Sequence, residues 1–242
     1  MEIAAATRTI VHTARICDLA ASWASTEPRL KLGIDIGQAS VAKYRVRRGR
    51  PPSQTWRTFL ANHVGQLMAA DFFVVPTATC RLLFVLVILA HARRRIVHIA
   101  VTDHPTAGWT AQQLRDAFPW DEAPRFLIRD RDHAFDGWDA TTKAMGIHEV
   151  LTAPRSPWQN AYAERFIGSV RRECLDHVIV LSAAGLRRVL TSYVEYYTTS
   201  RTHLALDKDT PSPRPVAPPA AGRVVAIPQV GGLHQRYERR AA

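Results

Sequence analysis

No two cysteines in this chain are spaced to grip a metal or to staple a loop. Cys17, Cys80 and Cys174 lie far apart and are odd in number, so neither a zinc site nor a disulfide framework is expected, and a reducing compartment fits best. Long apolar runs are missing too. The longest, Leu82 to Ala90, is too short to span a bilayer and is soon followed by Arg93, Arg94 and Arg95. The N-terminus lacks the basic start, apolar stretch and small-residue cleavage site of a secretory signal. These absences set aside membrane proteins and secreted scaffolds and point to a soluble, cytoplasmic chain with no membrane partner. Positive charge is abundant. There are 32 Lys and Arg against 21 Asp and Glu, a net of +11, which favours a polyanionic partner, nucleic acid before an anionic membrane surface. With 47% hydrophobic residues over 242 positions the chain can bury one core domain with small appendages.

The hydrophobic pattern divides the chain in three. Residues 1–62 read as an N-terminal segment. Gly33 ends one short helix, Gln38 to Tyr44 forms another, and Lys43, Arg45, Arg47, Arg48 and Arg50 run as a basic linker into Pro51-Pro52. Residues 63–206 read as the core. ADFFVVPT is a strand bounded by Pro76, and RLLFVLVILAHARRRIVHIAVT is two strands joined at HARRR, the first apolar enough for burial on both faces. Then follow a helix around Thr110–Phe118, a strand in PRFLIRD, a helix closed by Gly146, and a strand in HEVLTAP. Two helices, near 157–177 and 182–198, complete the unit. The order β-β-β-α-β-α-β-α-α predicts an α/β fold, a mixed five-stranded sheet flanked by helices. Residues 207–242, with Pro211, Pro213, Pro215, Pro218 and Pro219 and a basic end, read as an extended or disordered tail.

Three acidic residues stand out. Asp71 sits inside a Phe/Val strand, where β-propensity and desolvation both disfavour it, so it needs a partner. Asp130 follows the strand Phe126–Ile128, the usual place for functional groups on an open α/β sheet. Glu164 lies on a helix whose start reads as a capping box, with Ser156 as N-cap, Pro157 at the first helical position and Gln159 three residues on. On that helix Tyr162, Phe166, Val170 and Cys174 form the sheet-facing stripe, and Asn160, Glu164, Gly168 and Arg171 lie along another. Converging carboxylates raise one another's pKa, and divalent cations relieve that conflict. Mg²⁺ needs only a few carboxylates beside waters and phosphates, and two such ions suit in-line displacement at phosphorus.

Three segments resemble the transposases of bacterial insertion sequences, within the retroviral-integrase superfamily. They are ADFFVVPT around Asp71, RDRDHAF, in which Phe135 follows five residues after Asp130, and TAPRSPWQNAYAERFIGSVRREC around Glu164; YYTTSRTHLAL resembles the segment that commonly follows. The 33 residues between Asp130 and Glu164 suit that family. The resemblance implies an RNase H-like core in which Asp71, Asp130 and Glu164 hold two Mg²⁺ or Mn²⁺ ions. It also implies cleavage at an element's DNA end and attack of the freed 3′-hydroxyl on target DNA by a homo-oligomer on paired ends in a prokaryotic cell. Asp132 stands where the family often has Gly, and is an auxiliary or substitute ligand. Only LKLGIDIGQASVAKYRVRR resembles the family's helix-turn-helix region, so the front reads as a shortened or rearranged version.

Gln38 and Ser40 are positioned to meet base edges if their helix enters a major groove, with Lys43, Arg45, Arg47 and Arg48 on phosphates. Arg155, Arg165, Arg171 and Arg172 surround the expected metal site and would position the scissile strand. Two alternatives stay open: an inactive DNA-binding remnant, and an RNase H-like nuclease that degrades hybrids without joining.

Overall fold

The computed structural model describes residues 54–119 and 123–241. The expected DNA contacts Gln38, Ser40, Lys43, Arg45, Arg47 and Arg48 lie outside the described residues. Among the described residues no helix is long and apolar enough to cross a membrane.

Strands β1 (Leu67–Pro76), β2 (Leu82–Ala90), β3 (Ile96–Thr102), β4 (Phe126–Arg129) and β5 (His148–Leu151) form one sheet in the order β3-β2-β1-β4-β5. The first three pair antiparallel, and β1, β4 and β5 run parallel, which gives the mixed sheet expected. The apolar run of β2 is buried on both faces between β1 and β3, because helices cover the sheet on either side.

Two apolar clusters show how those layers divide. On one face Leu67, Ala69, Phe73, Val75, Leu83, Val85, Val87 and Leu89 meet helices α4 (Ala161–Glu173) and α5 (Ala183–Thr199) through Phe166, Val170, Leu186, Leu190 and Tyr193. On the other face Ala70, Leu86, Ile88 and Leu127 meet helices α2 (Ala107–Ala117) and α3 (Trp138–Ala144) through Leu114 and Trp138, with Phe135 of the 133–135 turn between them. The alternation along β1 and β2 follows from successive strand side chains pointing to opposite faces. Helix starts are capped where the sequence allows it. Thr106 accepts from the Trp109 amide at 3.2 Å, and Ser182 from that of Gly185 at 3.1 Å.

Three expectations are corrected. Helix α1 (Gln54–His63), assigned by the sequence to the N-terminal segment, packs on the core, with Phe59 edge-on to Phe126 at 5.2 Å and His63 at 4.7 Å from the same ring. The boundary at residue 62 therefore cuts a helix that belongs with the sheet. Secondly, Ser156 makes no capping bond. Pro157–Asn160 form a 3₁₀ turn before α4, and the Gln159 side chain instead accepts from the Ala153 amide at 2.6 Å.

Thirdly, residues 207–242 are not a disordered tail. Arg93 donates to Pro211 O at 2.9 Å, Thr210 O at 2.7 Å and Asp209 at 2.6 Å, which ties the proline-rich stretch to the β2–β3 turn. Strands β6 (Arg223–Gln229) and β7 (His234–Arg240) then form an antiparallel hairpin against α5. His234 stacks on Tyr196 at 4.3 Å and bonds the Glu173 carbonyl at 2.8 Å. The prolines that read as disorder sit before the hairpin, and Pro228 lies on a strand of a two-stranded sheet where a missing N–H is tolerated.

Candidate active site

The position of Asp71 follows from strand geometry. Its neighbours two residues away on β1, Ala69 and Phe73, belong to the cluster beneath α4 and α5, so Asp71 points to that face. Parallel pairing of β1 with β4 runs Leu67 to Phe126, Met68 to Leu127 and Ala69 to Ile128. Two steps further in the same register, Asp71 falls level with Asp130, just past the end of β4. Ile128, two residues before Asp130, also belongs to the α4/α5 cluster. The two acids thus share one face and one level on neighbouring strands. Glu164 is exposed in the first turn of α4, the helix packed on that same face.

α4 is tied to β1 on both sides of Asp71. The Asn160 side chain, 4% exposed, donates from Nδ2 to the Ala70 carbonyl at 3.1 Å, while its Oδ1 is buried without a hydrogen-bond partner. Three turns further along, Arg171 donates from Nη2 to the Val74 carbonyl at 3.1 Å and lies over the Phe73 ring at 5.6 Å. Asn160 was legible as part of the Glu164 block, but its anchoring bond was not. Arg171, expected beside the DNA strand, uses its Nη2 to hold the helix to the strand. Arg155, Arg165 and Arg172 are exposed. The Arg172 guanidinium crosses Gly168, where an added Cβ would stand 3.1 Å from Nη1, so the small residue makes room for that side chain.

The electrostatics agree with the geometry. Burial, followed by the negative charge of Asp130 and then those of Glu164 and Asp132, pushes Asp71 up to about 8, against the Phe72 amide that donates to Oδ1 at 2.8 Å. Asp130 is raised above the ordinary carboxylate range by burial and by the charge of Asp132. Its Oδ1 accepts from the Asp132 amide at 3.1 Å, and the Asp132 carboxylate caps the 133–135 turn through the Ala134 amide at 2.8 Å. Asp132, placed where the family often has Gly, therefore has a local structural task. Among the described residues no three His, Cys, Asp or Glu side chains stand as a ready-made ion cage. The donors nevertheless fit a hard divalent cation in kind: they are carboxylate oxygens, and the charges of Asp130 and Glu164 help to hold the Asp71 pKa high.

Arg201 and His203, in the trailing segment, are taken up in packing. Arg201 forks onto Glu173 at 2.7 and 2.6 Å, Tyr193 donates to the same carboxylate at 2.8 Å, and His203 sits edge-on to Tyr197 at 4.7 Å.

Comparison with known proteins bears on this arrangement. Residues 145–211 match the family model of the integrase core domain, a stretch that contains Glu164. The chain is 30% identical over 182 residues to an uncharacterized 39.2 kDa protein of the insertion element IS476 from Xanthomonas euvesicatoria, covering 70% of this chain and 50% of that protein. It is 28% identical over 157 residues to an uncharacterized 31.7 kDa protein of the insertion element IS407 from Burkholderia multivorans, covering 61% of this chain and 54% of that protein. The chain thus spans about half the length of the curated relatives it matches. Among solved structures it is similar to a chain in the cryoEM structure of the simian T-cell lymphotropic virus intasome in complex with PP2A regulatory subunit B56 gamma. There the TM-score is 0.51 and the identity 16%, over 79% of this chain and 68% of that one. The fold is the RNase H-like one of integrase cores.

Proposed function

This chain carries an integrase core domain of the retroviral-integrase superfamily, the type found in bacterial insertion elements, and from that premise we propose that it cuts and joins DNA as a metal-dependent transposase. Asp71, Asp130 and Glu164 are the acids that hold the metal. What supports this is one observation: Asp71 and Asp130 fall level on neighbouring strands, on the face that the Glu164 helix covers.

Paired Mg²⁺ or Mn²⁺ ions, when bound, would activate the attacking oxygen and stabilise the departing one. The chain's own part is to hold the acids in place. Asn160 and Arg171 fix the helix that carries Glu164 against the strand that carries Asp71. Exposed Arg155, Arg165 and Arg172 meet backbone phosphates and orient the scissile strand, giving affinity that falls with salt. In cleavage the nucleophile is water, and in joining it is the freed 3′-hydroxyl. In each step a P–O bond forms, the bond to the departing 3′-oxygen breaks, and the nucleophile's proton passes to solvent. The substrates are element ends and target DNA, and the working form is a multimer that pairs two ends.

The test is strand transfer on end-mimicking DNA with Mg²⁺ or Mn²⁺. Wild type joins; Asp71→Asn, Asp130→Asn and Glu164→Gln do not, and full activity in these variants removes the assignment. The lack of a ready-made cage among the described residues favours one second reading, a DNA-binding remnant without chemistry. Salt-sensitive DNA binding with no cleavage at any metal concentration selects that reading.

A further inference from the structure

Behind Asp130 lies a polar knot centred on the residue before it. Arg129, the last residue of β4, is 8% exposed and bonds through Nε to Glu149 of β5. Its Nη1 donates to the Asp130 carbonyl at 3.1 Å, its Nη2 to Asp139 at 3.3 Å, and its plane lies over the Phe135 ring at 5.5 Å. The other oxygen of Glu149 accepts from Thr142 Oγ1 at 2.6 Å, and Thr142 is 1% exposed on α3. One guanidinium thus joins the end of β4, β5, the 133–135 turn and α3, the elements that enclose the Asp130 loop.

A buried Arg–Glu pair is a poor device for stability alone. Desolvating two charges costs several kcal/mol, and hydrophobic residues of similar volume often serve as well or better. What a hydrophobic pair lacks is direction. A guanidinium presents planar donors in a fixed fork, and here one of them grips the peptide oxygen of Asp130. From the other side, the Asp130 carboxylate is steadied by the Asp132 amide at 3.1 Å. The residue is held at both ends.

We propose that the Arg129–Glu149 pair is a positioning device for Asp130, fixing the peptide after β4 so that its carboxylate stays level with Asp71. The inference rests on the reading of Asp130 as a metal-holding acid. Partners that orient metal ligands typically change metal affinity or activity by about 10–100-fold when lost, and a change of that size is expected here.

The experiment compares the full chain with Arg129→Met/Glu149→Leu, Glu149→Gln, Arg129→Lys and Asp130→Asn. Melting temperature, Mn²⁺ affinity by electron paramagnetic resonance, and the kcat and KM of strand transfer are measured on each. The double substitution is expected to keep the wild-type melting temperature, weaken Mn²⁺ about 10–100-fold and lower kcat with KM for DNA held. Arg129→Lys is expected to recover only part of the affinity. Should the double variant fail to fold, Glu149→Gln carries the test, with a smaller loss of Mn²⁺ affinity in the same direction. Wild-type Mn²⁺ affinity and kcat in whichever of these two variants folds overturn the proposal. If Asp130→Asn also binds Mn²⁺ like wild type, the metal-site reading fails with it. If Asp130→Asn alone weakens Mn²⁺, only the positioning role is lost.

Discussion

Replacing Asn160 by Ala separates stability from chemistry at this site. The bond from Nδ2 to the Ala70 carbonyl is 3.1 Å long and buried, so its loss costs on the order of 1 kcal/mol net. Part of that is returned, because the substitution also removes Oδ1, which is buried without a hydrogen-bond partner. Against a typical domain stability of about 5–15 kcal/mol the fold survives. The chemistry is far less tolerant. Asn160 lies one turn before Glu164 and its bond ends one residue before Asp71, so losing it lets the helix slide relative to the strand. A misplacement of about 1 Å can cost roughly 10²-fold in rate. The assay is strand transfer on end-mimicking DNA, run beside a urea melt. Strand transfer is expected to fall by about 10–100-fold while stability falls by about 1 kcal/mol. Asn160→Asp should be worse, since it sets a fourth acid beside an acceptor carbonyl. A clear loss of stability with strand transfer unchanged within about twofold would refute the reasoning, because catalytic placement is expected to be the more sensitive quantity.

Three further outcomes follow from the packing. Glu173→Ala strips the partner from Arg201 and Tyr193, and because the pair is partly wetted the expected loss is about 2–3 kcal/mol in a urea melt. His91 is buried against Tyr162, and burial holds its pKa at about 4, below the free value of 6.5. The unfolded chain therefore takes up that proton first as pH falls, so stability is full above about pH 6.5 and drains by about 3 kcal/mol toward pH 4. His91→Phe should flatten that slope, and an unchanged slope in urea melts across pH would contradict it. Gly222 has φ +112°, and a Cβ there would stand 2.1 Å from the Arg240 carbonyl. Gly222→Ala should release the β6–β7 hairpin, read as fast hydrogen exchange at residues 223–240 with the sheet still protected.

The candidate acids stood out in the sequence for reasons that differ. Asp71 showed itself as a lone charge in a Phe/Val strand, Asp130 as a charge at a strand end, and Glu164 through the block that also holds Asn160. Nothing local told which face each would take. That comes from the β1–β4 register and from Ala69, Phe73 and Ile128 lying in one cluster. From sequence alone Arg129 and Glu149 have no assigned role, because their meeting depends on β4 pairing with β5. The hairpin was missed for a compositional reason. Five prolines upstream outweighed the alternation in RVVAIPQ and HQRYERR, and the anchors at Arg93 and Tyr196 are remote in sequence. The false capping box had the right residue types, but Pro157 opens a 3₁₀ turn and the Gln159 side chain turns back to Ala153.

The most direct measurement is the anomalous difference density of crystals soaked in Mn²⁺. Carboxyl oxygens of residues 71, 130 and 164 should surround the strongest peaks, which should vanish in Asp71→Asn crystals. Saturating Mn²⁺ that leaves no density there, or density only at other acids, would contradict a shared metal site.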